Sequence, residues 1–188
     1  MRKLGPEEIA LRRAGKEEAG RAPRLPVAGM LDNIRSLYNV GAMFRTSDGA
    51  GVRHLYLTGY TPAPPRAEIA KTALGAVDTV PWSHHRDPLE GIAAARSAGM
   101  KICVLEQTDV SVSLFSLAPA DFPLCLVVGN ELTGISPGIL READMALEIP
   151  MFGVKHSLNA AVAYGIALFE CVRVLTGEAP TSPRRTPG

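Results

Sequence analysis

Three stretches of this chain break apolar runs with residue types that can do chemistry. The first is Asn33-Ile-Arg-Ser-Leu-Tyr-Asn39-Val-Gly41-Ala-Met-Phe-Arg45-Thr46, which follows an apolar run and opens a helical one. Asn39 and Gly41 at a helix start offer a carboxamide and free backbone N–H groups to a ligand, and Arg45 reaches out from the second turn. The second is Leu126-Val-Val-Gly129-Asn130-Glu131-Leu-Thr133-Gly134. Here a buried strand ends in a loop with two glycines and a carboxylate, where a flat group can approach the Gly129 backbone, beyond the carboxyl end of a parallel strand. The third is Ile149-Pro150-Met151-Phe152-Gly153-Val154-Lys155-His156-Ser157-Leu158-Asn159. A strand stops at Pro150, a glycine loop follows, and a long helix starts with Ser157 as its N-cap and Asn159 in its first turn.

Taken singly, each stretch also has a plain structural reading: Asn39 as a helix cap, Arg45 as a solvated side chain, Glu131 in a tight turn, Met151 in the core and His156 on the surface. The spacings match neither GxxxxGK[ST] nor GxGxxG, which counts against nucleoside triphosphate and dinucleotide sites. Cys103, Cys125 and Cys171 each sit between apolar neighbours with no CxxC pair and no histidine at ligand spacing, so neither a metal nor a thiol nucleophile is expected.

The elements that must position these residues follow from hydrophobic periodicity. Short β-like runs alternate with helical ones, the pattern of an α/β fold with a mainly parallel sheet and helices on both faces. Strands are expected at 27–31, 54–58, 78–82, 101–106, 124–129 and 146–149. Helices are expected at 39–50, 67–74, 88–98, 137–142 and 157–176, the last carrying an apolar stripe from Leu158 through Ala161, Val162, Gly165, Leu168, Phe169 and Val172 to Leu175. Residues 6–19 read as a short amphipathic helix starting at Pro6, and 20–26 as a linker, so that 1–26 form a basic arm, 27–177 the folded domain and 178–188 a Pro-rich disordered tail.

Length and composition fit one globular domain: 188 residues, 46% apolar, formal net charge +1. No window approaches the ~18 uninterrupted apolar residues of a membrane span and the start lacks a signal-peptide core, so a cytoplasmic protein is expected. The small net charge argues against a surface that grips nucleic acid all over. Residues 1–30 nevertheless hold seven Lys and Arg against four Glu, which concentrates positive charge at the front.

Together, in order and in spacing, Asn39-x-Gly41-x3-Arg45-Thr46, Gly129-x-Glu131-x2-Gly134 and Ile149-Pro150-Met151-x-Gly153-x3-Ser157-Leu158-Asn159 resemble the three motifs of the SpoU (TrmH-like) family of knotted SPOUT methyltransferases, over roughly 28–175. The resemblance implies a C-terminal trefoil knot and methyl transfer from S-adenosylmethionine to the 2′-hydroxyl of an RNA ribose. It implies Gly129, Ile149, Met151 and Leu158 as contacts for the cofactor, with the strand end Glu106-Gln107-Thr108 closing another side. Arg45 and Asn39 are implied as the catalytic pair, and Glu131, Ser157 and Asn159 as pocket-shaping residues on the RNA side. It further implies a homodimer packed through the last helix, and neither metal nor membrane. The compact form is closer to the transfer-RNA members. Ribosomal RNA as substrate, or a catalytically silent RNA-binding protein, are the other readings.

Overall fold

A computed structural model describes residues 1–10 and 24–177. Helix α1 spans Pro6–Ala10. Residues 11–23 of the expected arm and linker, and the tail 178–188, lie outside the described residues. Then follow β1 (Leu25–Asp32), α2 (Leu37–Ala50), β2 (Val52–Thr58), α3 (Ala67–Ala73), β3 (Trp82–His85), α4 (Pro88–Ser97), β4 (Lys101–Leu105), β5 (Val112–Ser113), β6 (Leu124–Val128), α5 (Pro137–Glu142), β7 (Met145–Glu148) and α6 (Ala160–Thr176).

The strands form one sheet in the order β3-β2-β1-β6-β4-β7-β5, every pair parallel. Alternation along each strand sends successive side chains to opposite faces, and two cores result. Leu31, Leu57 and Leu126 pack with Phe44 of α2, Ile69 of α3 and Leu168 of α6. Met30, Tyr56 and Val127 pack with Ile92 of α4 and Ile139 of α5. Covered on both sides, β6 is a run of five buried apolar residues, as a central parallel strand should be. Helix α6 is pinned over β1. A Cβ on Gly29 would collide with the Tyr164 hydroxyl, and that hydroxyl lies 2.7 Å from Ser47 Oγ of α2.

Because all strands run the same way, their carboxyl ends share one edge, and the loops leaving it are tied together. The buried Asp32 carboxylate accepts from Asn33 Nδ2 at 2.8 Å, from the backbone N–H of Ser136 at 2.8 Å and from Thr58 Oγ1 at 3.3 Å. Three donors, from the loop after β1, the end of β2 and the loop after β6, thus satisfy one carboxylate.

Several expected boundaries move. The expected strand at 78–82 is instead a 3-10 turn, Ala76–Asp78, with the strand beginning only at Trp82. Pro81 has no N–H for a ladder, so pairing in this edge strand starts after it. Arg24 donates to the carbonyls of Val52 and Thr79, and β1 starts at Leu25, so the end of the expected linker belongs to the sheet. Helix α2 begins at Leu37 behind an N-cap at Ser36, and α6 begins at Ala160 behind Asn159, not Ser157. The two-residue β5 was not expected. Among the described residues no helix is long and apolar enough to cross a membrane, and no cluster of His, Cys, Asp and Glu could hold a metal ion.

Candidate active site

A cavity of about 380 Å³ opens at the carboxyl edge, between the ends of β4 and β6 and the loop that joins β7 to α6. Leu105, Val128, Ile149, Met151 and Leu158 give it apolar walls, and Glu106, Gln107, Asn130, Glu131, His156, Ser157 and Asn159 give it polar ones. The size and the mixture suit a small organic ligand held by an apolar wall and a few fixed polar groups. Two bonds set its rim: Gln107 Nε2 donates to the His156 carbonyl at 2.8 Å, and Glu106 accepts from Ile135 N–H at 3.1 Å. Gly129 lines the cavity, yet its lack of a side chain has a nearer cause. A Cβ there would run into the backbone of Gly134 and Ile135.

At the mouth of this cavity the three motifs meet. Asn39 Nδ2 donates to Glu131 Oε1 at 2.9 Å, and Asn159 Nδ2 donates to Asn39 Oδ1 at 3.3 Å. Local capping explains why those side chains are available. Ser36 Oγ accepts from Asn39 N–H and caps α2, so the Asn39 carboxamide is free to turn outward. Asn159 caps α6 through Oδ1, which accepts from Ala161 and Val162 N–H, and spends its Nδ2 on Asn39. The Glu131 carboxylate also accepts from the backbone N–H groups of Arg35 at 3.0 Å and Ser36 at 3.2 Å.

Arg45 is not brought to this junction. It is exposed, is not among the residues lining the cavity, and makes no hydrogen bond or ion pair among the described residues. Six residues along a helix set it about 120° around α2 from Asn39. Its turn lies instead against α6, where Thr46 and Gly49 approach Gly165 and Phe169. Thr108 is likewise outside the lining. It closes a turn, its hydroxyl accepting from Val110 N–H and its carbonyl from Ser111 Oγ. Gly41, expected at a ligand-facing helix start, is buried inside α2, where a Cβ would meet Thr72 and the Ile69 carbonyl of α3.

Residues 26–169 match the SpoU rRNA Methylase family. The chain belongs to that family. Among SpoU relatives it is 34% identical over 148 residues to a 23S rRNA (guanosine-2'-O-)-methyltransferase of Burkholderia sp, covering 79% of this chain and 59% of that protein. To a tRNA (guanosine(18)-2'-O)-methyltransferase of Aquifex aeolicus it is 35% identical over 143 residues, 76% of this chain and 66% of that one. The chain therefore spans less than two thirds of the curated SpoU relatives it matches. The fold is shared with an AdoMet-bound rRNA methyltransferase from Sinorhizobium meliloti, at a TM-score of 0.74 and 30% identity, over 82% of this chain and 59% of that one. The A. aeolicus TrmH/SpoU tRNA modifying enzyme also gives 0.74, at 29% identity, over 90% of this chain and 82% of that one.

Two residues of the site were not singled out from sequence: Asn130 and Tyr60. Asn130 is buried and fully bonded, its Nδ2 donating to the Asn33 carbonyl and Tyr60 Oη, its Oδ1 accepting from Leu132 and Thr133 N–H. An Asn directly after a buried strand was the available signal.

Glu131 gives this SpoU site a pH dependence. Partial burial pushes its carboxyl up. The N–H groups of Arg35, of Glu131 itself and of Ser36, with the Asn39 carboxamide, outweigh that and hold it below the usual carboxylate range. A carboxyl lowered on folding contributes stability that is complete above the ordinary carboxylate range and is lost as pH falls through its folded value. In denaturant melts, wild type should exceed Glu131→Gln in stability at neutral pH, and the gap should close on acidification. A gap that is constant with pH would show that the charge of Glu131 does not hold the junction.

Proposed function

We propose that this chain transfers a methyl group from S-adenosylmethionine to the 2′-hydroxyl of a ribose in RNA, with transfer RNA as substrate. The observation that carries the reading is the junction of Asn39, Glu131 and Asn159 beside the cavity, three motifs far apart in sequence meeting where a ribose would have to enter. The donor set suits the cofactor: Gly129, Ile149, Met151 and Leu158 would hold its adenine and methionine parts against backbone and apolar wall, and Thr108 would shape the turn beyond Gln107. Bound there, the cofactor supplies a methyl group already activated on a sulfonium, so the protein's task is to aim one hydroxyl and ease removal of its proton.

Asn39, Glu131, Ser157 and Asn159 would form the ribose side through hydrogen bonds that read no base. A guanidinium presents donors and no acceptor, so the role of Arg45 is to orient the hydroxyl, hold a neighbouring phosphate and stabilise the developing oxyanion. For that it must reach a cavity, and its own is turned away. We infer a homodimer in which the exposed apolar stripe of α6, Val162, Ile166 and Phe169, is buried against a second copy. Arg45, beside that stripe, would then face the partner's cavity. The C-terminal knot, and a cytoplasmic setting where the RNA and cofactor are found, belong to the same reading.

Incubation with methyl-labelled S-adenosylmethionine and separate pools of transfer and ribosomal RNA, followed by mapping of methylated riboses, tests it. Label on a transfer-RNA ribose is the expected result. Label in ribosomal RNA alone would correct the substrate, and cofactor binding without transfer to either pool would overturn the enzymatic reading.

A further inference from the structure

Tyr60 stands on the loop after β2 and is 61% exposed, an unusual position for a tyrosine whose hydroxyl and backbone N–H are both fixed. Its hydroxyl accepts from Asn130 Nδ2 at 2.7 Å, and its backbone N–H donates to Asn33 Oδ1 at 3.1 Å. The groups that hold it are themselves held. Asn130 is 6% exposed and bonded through both ends of its carboxamide. Asn33 keeps a left-handed φ of 55°, its Nδ2 on Asp32. Before Tyr60, Gly59 adopts a φ of 65° and sits so close to the Asn33 carboxamide that no Cβ would fit. Tyr38, also exposed, differs: its hydroxyl bonds no described residue.

A rigid aromatic face kept in solvent is costly to maintain for packing, since it buries little. It is what recognition of an unstacked base requires, because every base has a π-face and a fixed ring loses little entropy on stacking. The ring is also in the right place. Asn130, which grips the phenol, directly precedes Glu131, whose carboxylate holds Asn39 at the cavity mouth. Exposed Arg35, whose N–H bonds the same carboxylate, has a guanidinium with no partner among the described residues and can meet a phosphate.

We propose that Tyr60 is a stacking platform for a base of the bound RNA beside the ribose that enters the cavity, so that the network from Asn33 through Asn130 to Glu131 fixes base and ribose relative to each other. The proposal rests on the RNA-methylating reading above and adds to it a residue that touches the substrate.

Binding of bulk transfer RNA, of an unstructured oligoribonucleotide and of its abasic counterpart to the full chain, with cofactor affinity measured in parallel, tests it. Tyr60→Ala should weaken binding of the first two by roughly 5- to 150-fold, the effect of losing one base–aromatic stack, and leave the abasic strand and the cofactor unaffected. Tyr60→Phe keeps the ring and should stay within about threefold of wild type for all four ligands. Equal losses on the abasic strand, or loss of cofactor affinity, would make Tyr60 a structural residue and overturn the proposal, as would a Tyr60→Ala protein that binds RNA like wild type. A wild type that methylates RNA while Tyr60→Ala is indifferent sinks only the platform. A wild type that neither binds nor methylates RNA sinks the RNA reading and the platform with it.

Discussion

Arg45→Ala should lower the rate of methyl transfer by about 10² to 10³-fold, the effect of removing a group that stabilises developing charge, and leave cofactor affinity and melting temperature unchanged. Both halves of that expectation come from where Arg45 sits. It is exposed and unbonded among the described residues, so nothing in the fold depends on it, and it is not among the residues that line the cavity. A parallel loss of cofactor binding would show that the division of roles is wrong. Mixing extends the test. If Arg45 serves the partner's cavity, an inactive Arg45→Ala protein combined with an inactive Asn159→Ala protein should recover roughly a quarter of wild-type activity, because half the dimers are mixed and each mixed dimer has one intact site. If Arg45 serves its own cavity, no mixed dimer has an intact site and the mixture stays inactive.

Gly129→Ala is the other large effect. The added methyl would meet the backbone of Gly134 and Ile135, which cannot rotate away as a side chain would. The loop has to shift, and that loop carries Asn130 and Glu131 as well as one cavity wall. We expect a loss of about 3 kcal/mol, or roughly 6–12 °C in Tm for a domain of this size, together with weakened cofactor binding. Gly153→Ala is the matched control. It lies in the third motif, but a Cβ there meets nothing within 4 Å, and its stability should stay within about 0.5 kcal/mol of wild type. Thermal melts and cofactor titrations of the two variants read both outcomes. Similar losses in both would point to a general sensitivity of motif glycines rather than to the Gly129 contact.

Periodicity made the layers legible. The alternation of strands and helices, the wholly buried β6 and the apolar length of α6 follow from local pattern, and a parallel sheet follows from them. Where two cap-competent residues stand close together, sequence cannot choose between them. Ser36 caps α2 because Asn39 has Glu131 to bond, and Asn159 caps α6 while also reaching Asn39, each choice made by a partner about 90 to 120 positions away. The motif glycines were visible, but the reasons for two of them were not. Gly41 and Gly129 admit neighbouring backbone or a Thr side chain, which only the packed structure brings there. Asn130 and Tyr60 were missed for a related reason. A buried carboxamide and an exposed ring look ordinary in sequence until the bond between them is seen.

The bond that closes the site, from Asn159 to Asn39, spans 120 residues. During synthesis, β1 and α2 leave the ribosome long before α6 exists, so Gly29 waits without the Tyr164 ring that covers it and Ser47 without its hydroxyl partner. Long-range pairing of this kind is slow, because chain entropy must be lost before the contacts form. A nascent chain therefore has no complete cavity at any intermediate length, and premature termination before α6 leaves an apolar sheet face uncovered and the cavity without the wall that Asn159, Ala160 and Ala163 give it.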